Sequence, residues 1–243
     1  MFLLPFRRIL LPIYILLGFL LAIISIDYFK NVFENAGYPH ELSIILSVLL
    51  PFLSLLTSPI NIIIKKIPRK DILEQVDVIY FFGIPFYFPR IKIVDDFTII
   101  AINIGGAIVP LLVSFLLLST FKEFNLLKIL VIIILSTIFS NKTSKVIAGL
   151  GVIANPYLSP ILNGTLSFIL FQQQLSLIPI STYIATVIGA IVGADLLNLK
   201  KIIETRPQLI SIGGLGTFDG IYVSGLIGMF FGELIIYLNH LLL

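Results

Sequence analysis

Long apolar stretches alternate with short polar segments along the whole chain. A helix needs about 20 apolar residues to cross the hydrocarbon core of a bilayer. Seven stretches approach that length: residues 9–26, 42–64, 97–119, 126–140, 146–171, 175–199 and 213–242. The pattern therefore predicts an all-α, polytopic membrane protein with about seven transmembrane helices.

The number of crossings depends on residues 126–171. The stretch 126–140 is short for a bilayer, and Pro156 and Pro160 interrupt the stretch that follows it. Proline removes a backbone donor and breaks a regular helix. The fourth stretch is therefore either a span of its own or continuous with a broken fifth segment, and six and eight crossings are the alternatives to seven.

The longest polar loop covers about residues 65–96. Aromatic and β-branched residues lie on both sides of Gly83-Ile84-Pro85. Such runs around a glycine–proline break are typical of a hairpin, which predicts a small β-hairpin within residues 71–96. For the role of these residues, an aromatic belt at the membrane interface is preferred over a strand that binds an extended peptide.

Composition supports the membrane class. The chain is 58% hydrophobic and only 12% charged, with a mean hydropathy of +1.10, whereas soluble domains are nearer about 45–50% apolar. The apolar runs leave no room for a separate soluble domain. We therefore expect one integral membrane domain over residues 1–243, multi-pass in the cell membrane, with the lipid bilayer as its main partner.

The basic residues predict an orientation. If the N-terminus is cytoplasmic, only Lys30, Lys122 and Lys128 of the 16 lysines and arginines lie outside or at the outer boundary. Lysine and arginine accumulate in cytoplasmic loops, so we expect the N-terminus inside. The net charge of +3 follows from this bias, and nucleic acid is not expected as a partner.

The residues that several kinds of catalysis require are absent from the sequence or scarce in it. The chain has no cysteine and only two histidines, His40 and His240, which excludes thiol catalysis and leaves little for zinc or haem. It also has no His-Glu-x-x-His run and no phosphate-binding loop. We therefore expect no metal site and no cofactor.

Asp195 and Asp219 are the strongest functional candidates. Both fall inside predicted spans near the cytoplasmic boundary, where an ionisable side chain is costly and suggests a function. Asp195 lies five residues before Lys200, which is roughly 7 Å along a helix. Asp219 enters from the other side of the same loop, so the two carboxyl groups are expected at similar depth on antiparallel neighbours.

The positions of the two aspartates on their helices predict different roles. Asp195 is near a helix C-terminus, which disfavours ionisation, and Asp219 is near an N-terminus, which favours it. A protonated and an ionised carboxyl group suit acid–base catalysis, so Asp195 and Asp219 are the predicted catalytic pair. The predicted supporting residues are Asn103, Gly193, Gly214, Gly216 and Gly220.

Structural roles are the alternative for both aspartates. Asp219 could cap a helix that begins near Gly220, and Asp195 could extend to Lys200 or Lys201 at the interface. For Asn103, a hydrogen bond to a neighbouring helix is preferred over an approach to the aspartates.

Four segments carry a family resemblance: residues 188–199, residues 211–221, Asn103-Ile104-Gly105-Gly106 and the upstream Ile84-Pro85-Phe86-Tyr87. They resemble a prokaryotic membrane-protein family of unknown function, DUF1614, which implies a membrane protein and no particular activity. There is a fainter similarity to presenilin-like intramembrane aspartyl proteases, with one aspartate late in a span and another early in the next. Asp195 lacks the preceding tyrosine of that pattern, and Gly-Thr-Phe precedes Asp219.

Three functions follow as hypotheses. The leading one is an intramembrane aspartyl protease that acts on a membrane-inserted peptide substrate. The second is a small transporter or channel in which an aspartate binds a proton or cation. The third is a noncatalytic membrane assembly protein whose glycines pack helices.

Overall fold

A computed structural model describes the backbone of residues 1–2, 8–81, 84–149 and 151–242, with side chains except those of residues 8, 70–95 and 242. The helices are α1 (Leu11–Asn35), α2 (His40–Thr57), α3 (Val109–Leu118), α4 (Glu123–Thr143), α5 (Leu158–Phe171), α6 (Leu177–Gly189), α7 (Leu199–Glu204) and α8 (Gly220–Leu242). A π-helical segment, Ile104–Ile108, precedes α3, and a second, Ala190–Leu196, follows α6.

Within the described residues, five helices are long and apolar enough to cross a membrane: α1, α2, α4, α8 and the continuous segment Leu177–Glu204. Ile104–Leu118 and Leu158–Phe171 are apolar but shorter. The predicted class, a multi-pass helical membrane protein, is therefore confirmed.

The chain also forms sheets, so the prediction of an all-α fold is incomplete. Strands β1 (Asn61–Phe81) and β2 (Ile84–Asn103) pair antiparallel along their whole length. Strands β3 (Lys145–Ile147) and β4 (Gly151–Ile153) form a second antiparallel pair. Strand β5 (Leu209–Ile212) runs parallel to the end of β2, which gives a three-stranded sheet in the order β1-β2-β5.

The hairpin predicted within residues 71–96 is confirmed, but it is much longer than predicted. Its pairing begins at Asn61 opposite Asn103. Residues 82–83, including the glycine of the predicted break, lie outside the described residues, as do the side chains on which the aromatic-belt alternative depends. The hairpin therefore begins soon after α2 and ends directly before the π-helical segment Ile104–Ile108.

Four predicted spans begin or end with four or more residues that are not α-helical. Residues 61–64 and 97–103 lie in β1 and β2, residues 146–157 include most of β3 and all of β4, and residues 213–219 form a loop with one 3-10 turn, Gly216–Phe218, before α8. Isoleucine-rich strands are as apolar as helices, and periodicity does not separate short buried strands from helices. The predicted boundaries were therefore wrong by up to a dozen residues, although each span contains a helix.

Helix α6 lies at the centre of the helical layer, and almost all of its residues are buried. Helix α8 packs against it. Gly225, Gly228 and Gly232 allow this approach, because a Cβ atom at each would meet α6 residues. Small residues let helix backbones come close in membranes. This packing brings the C-terminal end of α6 beside the N-terminal end of α8.

Arg69 fixes the base of the hairpin to the segment before β5. Its guanidinium donates to the Asp96 carboxylate at 2.8 Å and to the Arg206 carbonyl oxygen at 2.6 Å. Hydrogen bonds from the Phe97 N–H and from Arg69 hold the pKa of Asp96 below its ordinary value. The Thr98 hydroxyl donates to the Pro207 carbonyl oxygen, so β5 is held against β2 from its first residue.

Candidate functional site

Asp195 lies in the π-helical segment Ala190–Leu196 that continues α6. Gly193 permits this segment to touch α4, because a Cβ atom there would collide with the Thr137 carbonyl oxygen. The Asn141 amide donates to the Gly193 carbonyl oxygen at 3.0 Å, and the Asn198 amide donates to Ala194 at 2.9 Å. These bonds satisfy carbonyl groups where the helical pattern changes. Such π-helical turns are frequent at functional sites.

Asp219 is the N-cap of α8. Its backbone is extended, and its carbonyl oxygen accepts the first helical bond, from the Val223 N–H. One carboxylate oxygen accepts the Ile221 N–H at 3.0 Å, and the other accepts the Leu215 N–H at 3.3 Å. The capping role predicted as an alternative is therefore present. It also fixes the carboxylate at one position at the helix end.

The loop before Asp219, residues 213–218, packs closely against the start of the first π-helical segment. A Cβ atom at Gly106 would collide with the carbonyl oxygens of Gly213 and Gly216. Gly213 and Gly216 have φ angles of +71° and +62°, a conformation that glycine adopts without strain. The glycine-rich segments that carry the family resemblance therefore contact one another directly.

A buried polar network holds the same loop. The Asn103 amide donates to the Ser58 carbonyl oxygen at 2.6 Å and to the Asn61 side-chain oxygen at 3.2 Å. Ser211 donates to the same Asn61 oxygen at 2.6 Å, and the Ser58 hydroxyl accepts the Thr217 N–H at 2.9 Å. The network joins the first residues of β1, the end of β2 and the loop that leads to Asp219.

Asp195 and Asp219 line one cavity of about 480 Å³. The cavity is bounded by the second π-helical segment, β4, β5 and the first turn of α8. Its other polar side chains, among the described residues, are Ser140, Asn155, Ser159, Thr205, Ser211 and Ser224. Asp195 and Asp219 are the ionisable residues among the described residues that line this cavity.

The predicted supporting residues divide into two groups. Gly214 and Gly220 line the cavity beside Asp219. Asn103, Gly193 and Gly216 lie behind the cavity wall: Asn103 accepts the Gly106 N–H and so caps the first π-helical segment, Gly193 packs on α4, and Gly216 packs on Ser58. The hydrogen bond predicted for Asn103 is therefore confirmed, and it links neighbouring elements.

The predicted ion pair between Asp195 and a lysine is absent from the described residues. Lys201 instead donates to the Asn198 side chain at 3.0 Å. Glu233, an acidic residue of α8, accepts a hydrogen bond from Asn31 at 3.3 Å. Among the described residues, neither Lys201 nor Glu233 therefore forms a hydrogen bond or an ion pair with Asp195 or Asp219.

Sequence reasoning did not identify β4 and β5 as walls of the site. Both are short, and β5 follows Arg206 and Pro207 in a segment that the apolar pattern treats as a loop. The signal for β5 was its β-branched alternation, Leu209-Ile210-Ser211-Ile212. No sequence signal joined Ser140 to Ser159, whose hydroxyl groups lie 2.9 Å apart at the cavity wall.

The fold and cavity define a helical membrane protein in which two aspartates from neighbouring helix ends share one cavity. The sequence profile described as "Protein of unknown function (DUF1614)" matches residues 55–231, and the chain belongs to this family. The match runs from the end of α2 into α8 and includes both aspartates. No curated protein and no solved structure matches the chain.

Proposed function

We propose that the chain is an intramembrane aspartyl peptidase of the cell membrane, with Asp195 and Asp219 as its catalytic pair. The observation that carries this proposal is that Asp195 and Asp219 line the same cavity. A cavity of about 480 Å³ is within the ordinary range of ligand sites, about 300–1,000 Å³.

Their hydrogen bonds suggest which aspartate is the base. Asp195 and Asp219 are half-buried, and partial burial disfavours a negative charge on a carboxyl group. At Asp219 the N–H groups of Leu215 and Ile221 offset that cost. Among the described residues, no hydrogen bond reaches the Asp195 carboxyl group. We therefore assign the ionised state to Asp219 and the protonated state to Asp195.

The reaction uses water and the two carboxyl groups. The Asp219 carboxylate takes a proton from water as the water oxygen bonds to the carbonyl carbon of the peptide, and Asp195 donates its proton to the carbonyl oxygen. The intermediate then collapses: the C–N bond breaks, Asp219 gives its proton to the leaving nitrogen, and Asp195 recovers a proton from the hydroxyl group. Both residues return to their starting states.

A reconstituted assay tests the proposal. Purified protein in liposomes is mixed with synthetic transmembrane peptides in water enriched in ¹⁸O, and products are analysed by mass spectrometry. We expect two fragments, with one ¹⁸O atom in the new carboxyl group. The double variant Asp195→Asn/Asp219→Asn should give no product above the peptide-only background. Equal cleavage by the double variant would eliminate the aspartyl mechanism.

A second candidate, proton or cation transport, rests on a different observation. Polar side chains continue from the cavity into the contact between α4, α5 and α6. Next to the Ser140–Ser159 contact, Asn163 donates to Ser136 at 2.9 Å and to Thr186 at 3.0 Å. The side-chain oxygens of Asn163 and Ser167 are buried without a hydrogen-bond partner among the described residues. Polar groups inside a membrane protein often mark ion or proton paths.

Flux measurements distinguish transport from hydrolysis. If the polar residues form a path, liposomes containing the protein should dissipate an imposed proton or sodium gradient, and Asn163→Val should slow that flux about tenfold or more. Asn125→Ala, which removes an exposed side chain paired with Gln174, is the control and should keep the wild-type flux. Gradients that persist as in empty liposomes would remove transport. If the protein shows neither flux nor cleavage, the noncatalytic assembly role is the hypothesis that remains.

A further inference from the structure

Strand β5 is at the edge of its sheet. Strand β2 pairs with one side of it, and no strand of the described residues pairs with the other. The Ile99 N–H donates to the Gln208 carbonyl oxygen, and Ile99 is the register partner of Leu209. In a parallel ladder this pattern turns the backbone groups of Ile210 toward β2 and those of Leu209 and Ser211 away from it. The Ser211 carbonyl oxygen accepts the Gly214 N–H at 3.2 Å, so the outward groups that a further strand can use are the N–H and C=O of Leu209 and the N–H of Ser211.

Strand β5 belongs to the wall of the aspartate cavity. All four residues of β5 line this cavity, and so do all three residues of β4. Strand β4 comes from a separate two-stranded sheet, so it is an edge strand as well. The cavity is therefore flanked by two edge strands from different sheets, with the two aspartates lining the same space.

We propose that the cavity binds an extended polypeptide segment, which pairs with β5 as an additional strand. An edge strand presents alternating N–H and C=O groups, and another extended backbone is the partner that matches this row. The inference rests on the proposed peptidase function, in which such a segment is the substrate. Strand β5 continues through Gly213 and Gly214 into the loop that ends at Asp219. A paired segment would thus be directed toward the aspartates.

The pairing also defines the kind of substrate. In an α-helix the backbone groups bond to each other, so a helical segment cannot pair with β5. A membrane-inserted substrate must therefore be unwound where it enters the cavity. The lining combines the apolar side chains of Leu209, Ile210 and Val152 with two carboxyl groups, which favours a segment with apolar or uncharged side chains and no acidic residue.

Backbone methylation of the peptide tests the pairing directly. The protein is the Asp195→Asn variant in nanodiscs, so that binding is measured without cleavage. The probe is a synthetic leucine–alanine transmembrane helix followed by about eight alternating valine and threonine residues, long enough for a typical strand. Two further peptides carry N-methyl groups on either the odd or the even residues of that segment. Since alternate N–H groups face opposite sides of a strand, we expect only one methylated peptide to lose binding, at least about tenfold.

A proline substitution tests the same contact from the protein side. The Leu209 N–H points away from β2, so Leu209→Pro removes a donor from the unpaired edge of β5 and keeps the pairing with β2. We expect roughly two- to tenfold weaker peptide binding than in Leu209→Ala, which lacks the leucine side chain but retains the N–H. Thermal unfolding in detergent establishes that both variants are folded.

The outcomes separate this inference from the proposed function. Equal binding of all three peptides, or equal binding by folded Leu209→Pro and Leu209→Ala, would overturn strand pairing even if the wild-type protein cleaves peptides. Selective loss of binding with one methylated peptide would support strand pairing, and it would do so even if the wild-type protein cleaves nothing and the peptidase proposal fails.

Discussion

The Asp195→Asn variant is expected to hydrolyse a transmembrane peptide about 10²–10⁴-fold more slowly than the wild-type protein, because an amide cannot donate the carboxyl proton. Its stability should be nearly unchanged. Among the described residues the Asp195 carboxyl group has no hydrogen bond to lose, and asparagine has almost the same shape. The rate is measured from fragment formation in liposomes, and the stability is measured by unfolding in detergent.

The Asp219→Asn variant should lose activity to a similar extent and should also be less stable. Asparagine is as good an N-cap as aspartate, so the bond from the Ile221 N–H can persist. The other carboxylate oxygen accepts the Leu215 N–H, and an amide NH₂ group in its place would face a second donor. We expect a loss of about 1 kcal/mol in the free energy of unfolding.

A matched control separates these effects from the loss of any acidic side chain in the membrane. Glu233 contacts Asn31 in a different pocket, so Glu233→Gln should cleave the peptide at the wild-type rate. If Asp195→Asn retained the wild-type rate while Asp219→Asn lost it, Asp219 would act without Asp195 and the paired mechanism would be wrong.

The apolar pattern predicted the class of the protein because the thickness of the bilayer sets the length of a spanning helix. It failed at the ends of the spans for an equally physical reason. Residues 61–64 and 97–103 are rich in isoleucine, which suits a buried strand as well as a helix. The length of an apolar run does not reveal that residues at one of its ends pair with a strand about 40 residues away in the chain.

The sequence also predicted that Asp195 and Asp219 lie near each other, from their similar depth on consecutive helices. It could not predict the network behind them. Ser211 bonds to Asn61, which is 150 residues away in the chain, and such a contact depends on how β1, β2 and β5 are arranged. Asn103 was identified by its position beside two glycines, but its partners Ser58 and Asn61 follow only from the folded chain.

The contact between the two glycine-rich segments leads to the largest expected effect on stability. A methyl group at Gly106 would collide with the carbonyl oxygens of Gly213 and Gly216. These are backbone atoms, and the loop that holds them is fixed by Ser58 and by the cap of α8. It therefore cannot move aside as a flexible side chain would.

The Gly106→Ala variant is accordingly expected to lose at least about 3 kcal/mol of the free energy of unfolding, at the upper end of the cost of overpacking. Gly220→Ala is the matched control: Gly220 lies in the neighbouring first turn of α8, and no atom outside its own helix and chain neighbours lies within 4 Å of an added Cβ. That variant should be neutral or more stable by about 0.5 kcal/mol. Unfolding of both variants in detergent gives the comparison. Equal stability would mean that residues 213–216 do not pack against Gly106, and the loop that carries Asp219 would then need another support.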